Sequence, residues 1–197
     1  MRRRRSVRNI AVLISIGLVS ACAAEAPSPE AVASSTGASA AEMLGYLERT
    51  VDIADEKFVA MAEAVPDEAW DWRPMEGVRS FREVFIHVAA DNWFGGALMG
   101  GEVPADVGIG ADPTTIGPYQ DQVLDREATL RELRRSFDFF GQTLDATRSQ
   151  LDATTTLGGN EITYGDVWVR LTTHMHEHLG QSIAYARANG FAPPWSR

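Results

Sequence analysis

Apolar residues return every three or four positions through four stretches of this chain, and polar punctuation separates the stretches. Leu44, Leu47, Val51, Ala54, Phe58, Met61 and Val65 form the first stripe, the spacing of a helix that buries one face. Ser39-Ala-Ala-Glu42 before it has the capping-box pattern, and Pro66 closes it. A second capping box, Ser80-Phe-Arg-Glu83, opens a helix carrying Val84, His87, Val88, Asp91 and Leu98 until Gly100-Gly101. The Gly- and Pro-rich stretch 102–117 reads as a long loop, with Pro118 suited to the first turn of a third helix. Leu130, Leu133, Phe137, Phe140, Leu144 and Leu151 mark that helix. Thr154 to Asn160 reads as a polar turn around Gly158-Gly159, and Thr163 with Asp166 as the N-cap of a fourth helix. Val167, Leu171, His174, His178, Ser182 and Tyr185 share a face there, before Asn189-Gly190 and Pro193-Pro194 stop it. No alternating strand pattern of useful length is present. The pattern predicts an all-α protein, an antiparallel four-helix bundle with one long crossover loop.

The N-terminal residues change what counts as the domain. Four arginines at positions 2–5, then the short apolar run from Ile10 to Val19, have the form of a signal peptide. Leu18-Val19-Ser20-Ala21-Cys22 resembles a bacterial lipobox, in which the cysteine is acylated and becomes the first mature residue. An ordinary secretory signal with an incidental Cys22 is the alternative. The acylated reading is favoured because Cys22 is the only cysteine and stands at the required place. Residues 1–21 are thus read as signal, 22–39 as a small-residue, Pro/Ser/Ala-rich tether, and 40–197 as one domain. The lipid would anchor the protein at the cell envelope, facing periplasm or exterior. The mature chain would then offer no thiol as nucleophile or ligand.

Charge removes a class of partners. Five of the 18 basic residues lie in the leader and none of the 27 acidic ones do, so its removal takes the net charge from −9 to −14. Phosphate backbones repel such a body, which argues against nucleic acid.

Candidate chemistry rests on histidine, of which there are four. His174 and His178, at i and i+4, face the same way on the fourth helix. His87 on the second helix would add a third imidazole. Three nitrogen ligands with open positions are the ligand count of a catalytic rather than a structural metal centre. A lone His87 is more often a core histidine bonded to a carbonyl. The inward pair is different, because each ring needs a partner and one divalent cation satisfies both. His176 falls about 200° around the helix from its neighbours and is read as non-ligating. His174 to His178 also fits the H-x-x-E-H metalloprotease pattern, but no acidic residue follows His178 to complete such a site. Imidazole accepts zinc, nickel, iron, copper or manganese, so the ion is not specified.

Among the neighbours, Asp91 stands one turn from His87, where it could orient that ring or accept a proton, and is equally readable as a solvated carboxylate. Gln181 is a candidate contact to the ligands or substrate. Glu177 is read as a surface charge, Arg79 as a local salt-bridge partner, and Trp70, Trp72 and Trp195 as packing at the ends of the bundle.

W-D-W-R-P-M-E-G-V-R-S-F-R-E-V-F-I-H87, then H174-x-x-x-H178-x-G-Q181, then A-N-G-F-A-P-P-W-S, together resemble the DinB/YfiT-like superfamily of four-helix-bundle metalloproteins. The resemblance spans essentially the whole domain. It implies that His87, His174 and His178 bind one divalent metal, and that the protein pairs as a homodimer. It further implies a small-molecule substrate, since the superfamily includes S-transferases and isomerases that use low-molecular-weight thiols. The lipoprotein leader departs from the cytosolic setting of those enzymes. A metal-dependent hydrolase or S-transferase is therefore the leading reading, and the alternatives are a non-catalytic envelope protein that binds metal or a small ligand and a purely structural bundle whose histidines pack without metal.

Overall fold

The computed structural model describes residues 40–196. The proposed signal, the Cys22 anchor, the tether and the Ser39 cap lie outside the described residues. The elements run α1 (Ala40–Ala64), α2 (Phe81–Leu98), α3 (Ile116–Gln120), α4 (Arg126–Thr147), β1 (Thr154–Leu157), β2 (Asn160–Thr163) and α5 (Tyr164–Ala188). The protein is mostly helical, with four long helices, one short one and a small two-stranded sheet. Among the described residues no helix is long and apolar enough to cross a membrane.

α2 is the centre of the packing. It is apolar on nearly every side and buried from Phe81 to Leu98 with few gaps. It begins at Ser80, whose hydroxyl accepts from the Glu83 N–H while Glu83 accepts from the Ser80 N–H at 2.7 Å. Gly95 and Gly96 let its neighbours come close. A Cβ at Gly95 would collide with the Leu171 side chain of α5, and one at Gly96 with the Phe139 ring of α4. Phe58, Phe81, Phe85 and Phe137 fill the core where α1, α2 and α4 meet, with centroids 6.1–6.4 Å apart.

Helix directions follow from pairwise contacts. Asn92 of α2 donates to Ser136 of α4 at 3.2 Å, and farther along Gly101 meets Thr143. α2 and α4 therefore run the same way, and the 99–125 segment must cross the length of the molecule to join them. Phe81 packs edge-on to Tyr185 while His87 meets His178, so α2 and α5 run opposite ways. At the Phe81 end Arg126 donates to the Ala62 carbonyl at 2.8 Å, satisfying the last turn of α1, and lies over the Trp70 ring.

Three sequence expectations change. The third helix does not start at Pro118. That proline sits inside the separate short helix α3, and α4 begins after Asp125, whose carboxylate accepts from the Ala128 N–H at 2.7 Å. α4 also ends at Thr147, before Leu151, which packs on the core from a turn. The stretch 154–160 is not merely a turn. It is one strand and the bend of a hairpin, with Thr154 paired to Thr163 and Leu157 to Asn160 across Gly158-Gly159. Both glycines have positive φ, 58° and 81°, as a two-residue hairpin turn requires.

Candidate metal centre

His87 comes from the middle of α2 and His174 and His178 from successive turns of α5. Because α2 and α5 lie antiparallel, with Leu171 seated on Gly95, the three rings meet in one place. His174 Nε2 is 3.1 Å from His87 Nε2 and 3.1 Å from His178 Nε2. The rings stand almost mutually perpendicular, with centroids 4.5–5.2 Å apart. One nitrogen from each falls within 4.8 Å of the others, a group that could hold a metal ion. About 3 Å is the separation of two imidazole nitrogens that share one cation at bond lengths of about 2.0–2.1 Å.

Electrostatics set the three rings apart. Burial, reinforced by the nearby Arg79 charge and the other two imidazoles, pushes His87 down to about 4 against the opposing pull of Asp91. Burial also lowers His178. His174 is raised, first by its contact with Asp91.

Asp91 Oδ2 lies 2.9 Å from His174 Nε2 and 3.3 Å from His87 Nε2. It is fully buried, yet no donor is aligned with it as a hydrogen bond. A carboxylate oxygen left so beside converging nitrogens fits a cation between them.

The outer nitrogens are held by two glutamines. His178 Nδ1 donates to Gln181 Oε1 at 2.8 Å, and Gln181 Nε2 donates to the Tyr185 hydroxyl at 2.6 Å. Tyr185 in turn donates to the Arg79 carbonyl at 3.1 Å. That chain fixes the Gln181 amide with its oxygen toward the ring, the arrangement that leaves Nε2 free to ligate. On the other side Gln120 Nε2 meets His87 Nδ1 at 2.9 Å, and Arg79 Nη2 donates to Gln120 Oε1 at 3.3 Å.

These assignments expose a conflict among the inner nitrogens. His178 presents a lone pair at Nε2, and His87, receiving a donor at Nδ1, presents an N–H. Whichever form His174 takes, one of its two 3.1 Å contacts sets like against like. With the Gln120 amide turned over and the His87 proton on Nδ1, a divalent cation facing three lone pairs removes the conflict, so the donor set fits the metal that the resemblance implies.

The structure thus brings together His87, His174, His178 and Asp91, with Gln181 behind them. His176 points elsewhere, its Nε2 3.3 Å from the Thr50 carbonyl of α1. Glu177 is exposed, though its carboxylate comes within 3.5 Å of His174 Nδ1. Trp70 is buried in the core and Trp72 packs edge-on to Tyr185. Arg79 differs from its expected role. It forms no ion pair among the described residues and instead reaches Gln120. Gln120 went unread because it lies in the crossover, where no periodicity singles out a position. It is placed by Tyr119, which donates to Glu132 at 2.9 Å and accepts from Trp93 Nε1 at 3.2 Å.

Two clefts flank the cluster. One of about 380 Å³ is bordered by Asp91, His174 and Glu177 with Phe94, Ile116 and Leu171 as its apolar wall. The other, about 540 Å³, lies over Gln120 and Gln181, with Arg73, Arg79 and Val78 on its sides.

A helical protein with a three-imidazole cluster between antiparallel helices is the class that these features define. The model of the DinB superfamily matches residues 50–182, and the chain belongs to that superfamily. A DinB-like protein from Bacillus cereus ATCC 10987 is similar in fold, with TM-score 0.58 and 16% identity over 72% of this chain and 89% of that one. A DinB-like protein (YjoA) from Bacillus subtilis is similar too, with TM-score 0.56 and 17% identity over 75% of this chain and 93% of that one. No curated protein matches the chain.

Proposed function

We propose that the protein is a metal-dependent enzyme acting on a small molecule, by hydrolysis or by transfer of a group to or from a thiol. The convergence of three imidazole nitrogens beside the orphaned Asp91 oxygen carries this reading. The four long helices serve as a bundle-like frame, rigid enough to hold ligands donated by two different elements. His87, His174 and His178 would hold the cation as neutral ligands. When bound, a divalent cation would supply Lewis acidity that makes a water or thiol nucleophilic near neutral pH.

The remaining steps belong to the chain's own groups. Asp91 Oδ2 would accept the proton released by the nucleophile, because among the described residues it is the carboxylate oxygen buried against the cluster. Gln181 acts through His178, holding its ring and tautomer. Phe94, Ile116 and Leu171 exclude water on one side of the cleft and suit a substrate with an apolar portion. The acidic surface leaves nucleic acid outside the range of partners. We place the mature protein on the outer side of a membrane through Cys22, and a homodimer is the assembly expected of it.

Elemental analysis of untagged protein comes first, followed by assay of the loaded form against thiol conjugates and ester and amide panels. Near-stoichiometric divalent metal and turnover lost in His174→Ala/His178→Ala are the expected results. Full turnover by the double variant would overturn the catalytic reading. A non-catalytic envelope protein becomes the better account if Asp91 itself occupies the coordination shell. Cobalt-loaded protein would then show no spectral change with added thiol.

A further inference from the structure

The two glutamines behind the ligands face opposite ways, and each orientation is forced by its other partner. Gln181 must donate to Tyr185, because the Tyr185 proton is spent on the Arg79 carbonyl. Its oxygen therefore accepts from His178 Nδ1. Gln120 must present its oxygen to Arg79, because a guanidinium only donates. Its amide nitrogen therefore donates to His87 Nδ1, which keeps the His87 proton on Nε2, the atom that faces the cluster. His178 is set for a cation and His87 is set against one.

For His87 to ligate through Nε2, its proton must sit on Nδ1, where only an acceptor can meet it. The Gln120 amide then turns over, its oxygen faces His87, and its NH2 group faces Arg79. The guanidinium loses its acceptor at that moment. Arg79 has no carboxylate partner among the described residues to replace it. It lines the cavity of about 540 Å³. The cavity holds two carboxylates. Glu83 is occupied, by Arg73 at 3.0 Å and the Ser80 N–H at 2.7 Å. Asp121 also lines the cavity, and its negative charge disfavours a polyanion more than a single carboxylate.

We propose that the cavity over Gln120 and Gln181 is a subsite for a small carboxylate, that Arg79 is its recognition group, and that the Gln120 amide couples it to metal binding. The proposal rests on the metal-centre reading and adds the anionic character of the substrate to it. A bound carboxylate takes the place of the Gln120 oxygen on Arg79. The amide is then free to face His87, so anion and cation each favour the other by the same factor.

Two measurements test this. Long-range ¹⁵N NMR of the imidazoles reports the tautomers directly. Metal-free protein is expected to show His87 protonated at Nε2 and His178 at Nδ1, and zinc-loaded protein both at Nδ1. A His87 already protonated at Nδ1 without metal overturns the switch. Second, the zinc dissociation constant is measured at fixed ionic strength in sodium perchlorate with and without acetate, acetamide being the neutral control. Acetate should tighten zinc on the order of fivefold in the wild type and leave Arg79→Met unchanged, while acetamide has no effect on either. An acetate effect that persists in Arg79→Met shows direct coordination to zinc and refutes the subsite, as does no effect in the wild type. Failure of the wild type to bind zinc at all sinks the metal centre and the coupling together, and so stands apart from the other outcomes.

Discussion

The number of protons released when a cation enters is the sharpest consequence of the geometry. An imidazole with the ordinary pKa of about 6.5 is about three-quarters protonated at pH 6, so three independent rings would give up about 2.3 protons to a cation. This cluster cannot carry that charge. His87 is pushed down to about 4, chiefly by burial, and starts neutral at pH 6. His178 is lowered as well, again mainly by burial. His174 alone is raised, by its contact with Asp91. The three rings together therefore start with fewer bound protons than three independent imidazoles. Calorimetric titration with zinc at pH 6, repeated in buffers of different ionisation enthalpy, should therefore return fewer than two protons per cation. A count of two or more would show rings that titrate independently and would refute the tight, buried cluster.

The same shifts fix the sign of the pH dependence in metal-free protein. His87 has a folded pKa below its unfolded value. The unfolded chain therefore takes up a proton first, and stability falls as pH drops through the window from about 6.5 to 4. The loss from this group is on the order of 2–3 kcal/mol. His174 acts in the opposite sense, its contribution complete below about 6.5 and lost as pH rises through its raised value. Thermal melts with and without zinc should diverge as pH rises above 6, where the cation no longer competes with a proton.

Three substitutions probe the frame around the site. Gly95→Ala sets a methyl against Leu171, which overpacks the α2–α5 contact at a cost of about 1–3 kcal/mol. A lower Tm with weaker zinc binding is expected, since Leu171 lies one turn before His174, and an unchanged Tm would contradict the close approach. Tyr119→Phe removes the acceptor of the buried Trp93 Nε1–H and the donor to Glu132. It should cost about 1–3 kcal/mol in denaturant melts and loosen Gln120 against His87, read as the loss of a single His87 tautomer by NMR. Asp55, raised to about 6 by burial and then by Asp138, Asp52 and Glu56, contributes stability that is lost as pH rises through that value. Asp55→Asn should therefore stabilise by about 1 kcal/mol at pH 8, after allowance for solvent screening, with no gain near pH 4; equal gains at both values would remove the carboxylate as the cause.

The long helices were legible because each buries a single stripe or a whole circumference, and their starts were legible where a side chain closes the first turn, as Ser80 and Thr163 do. The histidine set was legible because i and i+4 fix two ligands on one helix. The hairpin was not, since both its strands are polar and largely exposed. With Leu157 and Ile162 its only large apolar residues on the core, too few apolar positions recur to mark it, and Gly158-Gly159 carried the clearest signal. The start of α4 was misread because Pro118 is compatible with any first turn. The real cap, Asp125, precedes a first turn made of Arg126, Glu127 and Ala128, which shows no apolar contrast.

The residues hardest to read are those that tie the outer nitrogens to the rest of the molecule. Gln181 follows His178 on the same helix, so helical spacing alone brings it to the ring. Gln120 and Arg79 come from the two connections that flank α2, and nothing local relates them to His87. Their meeting depends on the parallel course of α2 and α4. That course forces residues 99–125 back along the molecule and lets Tyr119 lodge between Trp93 and Glu132. The crossover is therefore more than a connector. It delivers the one amide whose orientation decides whether His87 can give its inner nitrogen to a cation, and so joins the topology of the chain to the chemistry of the site.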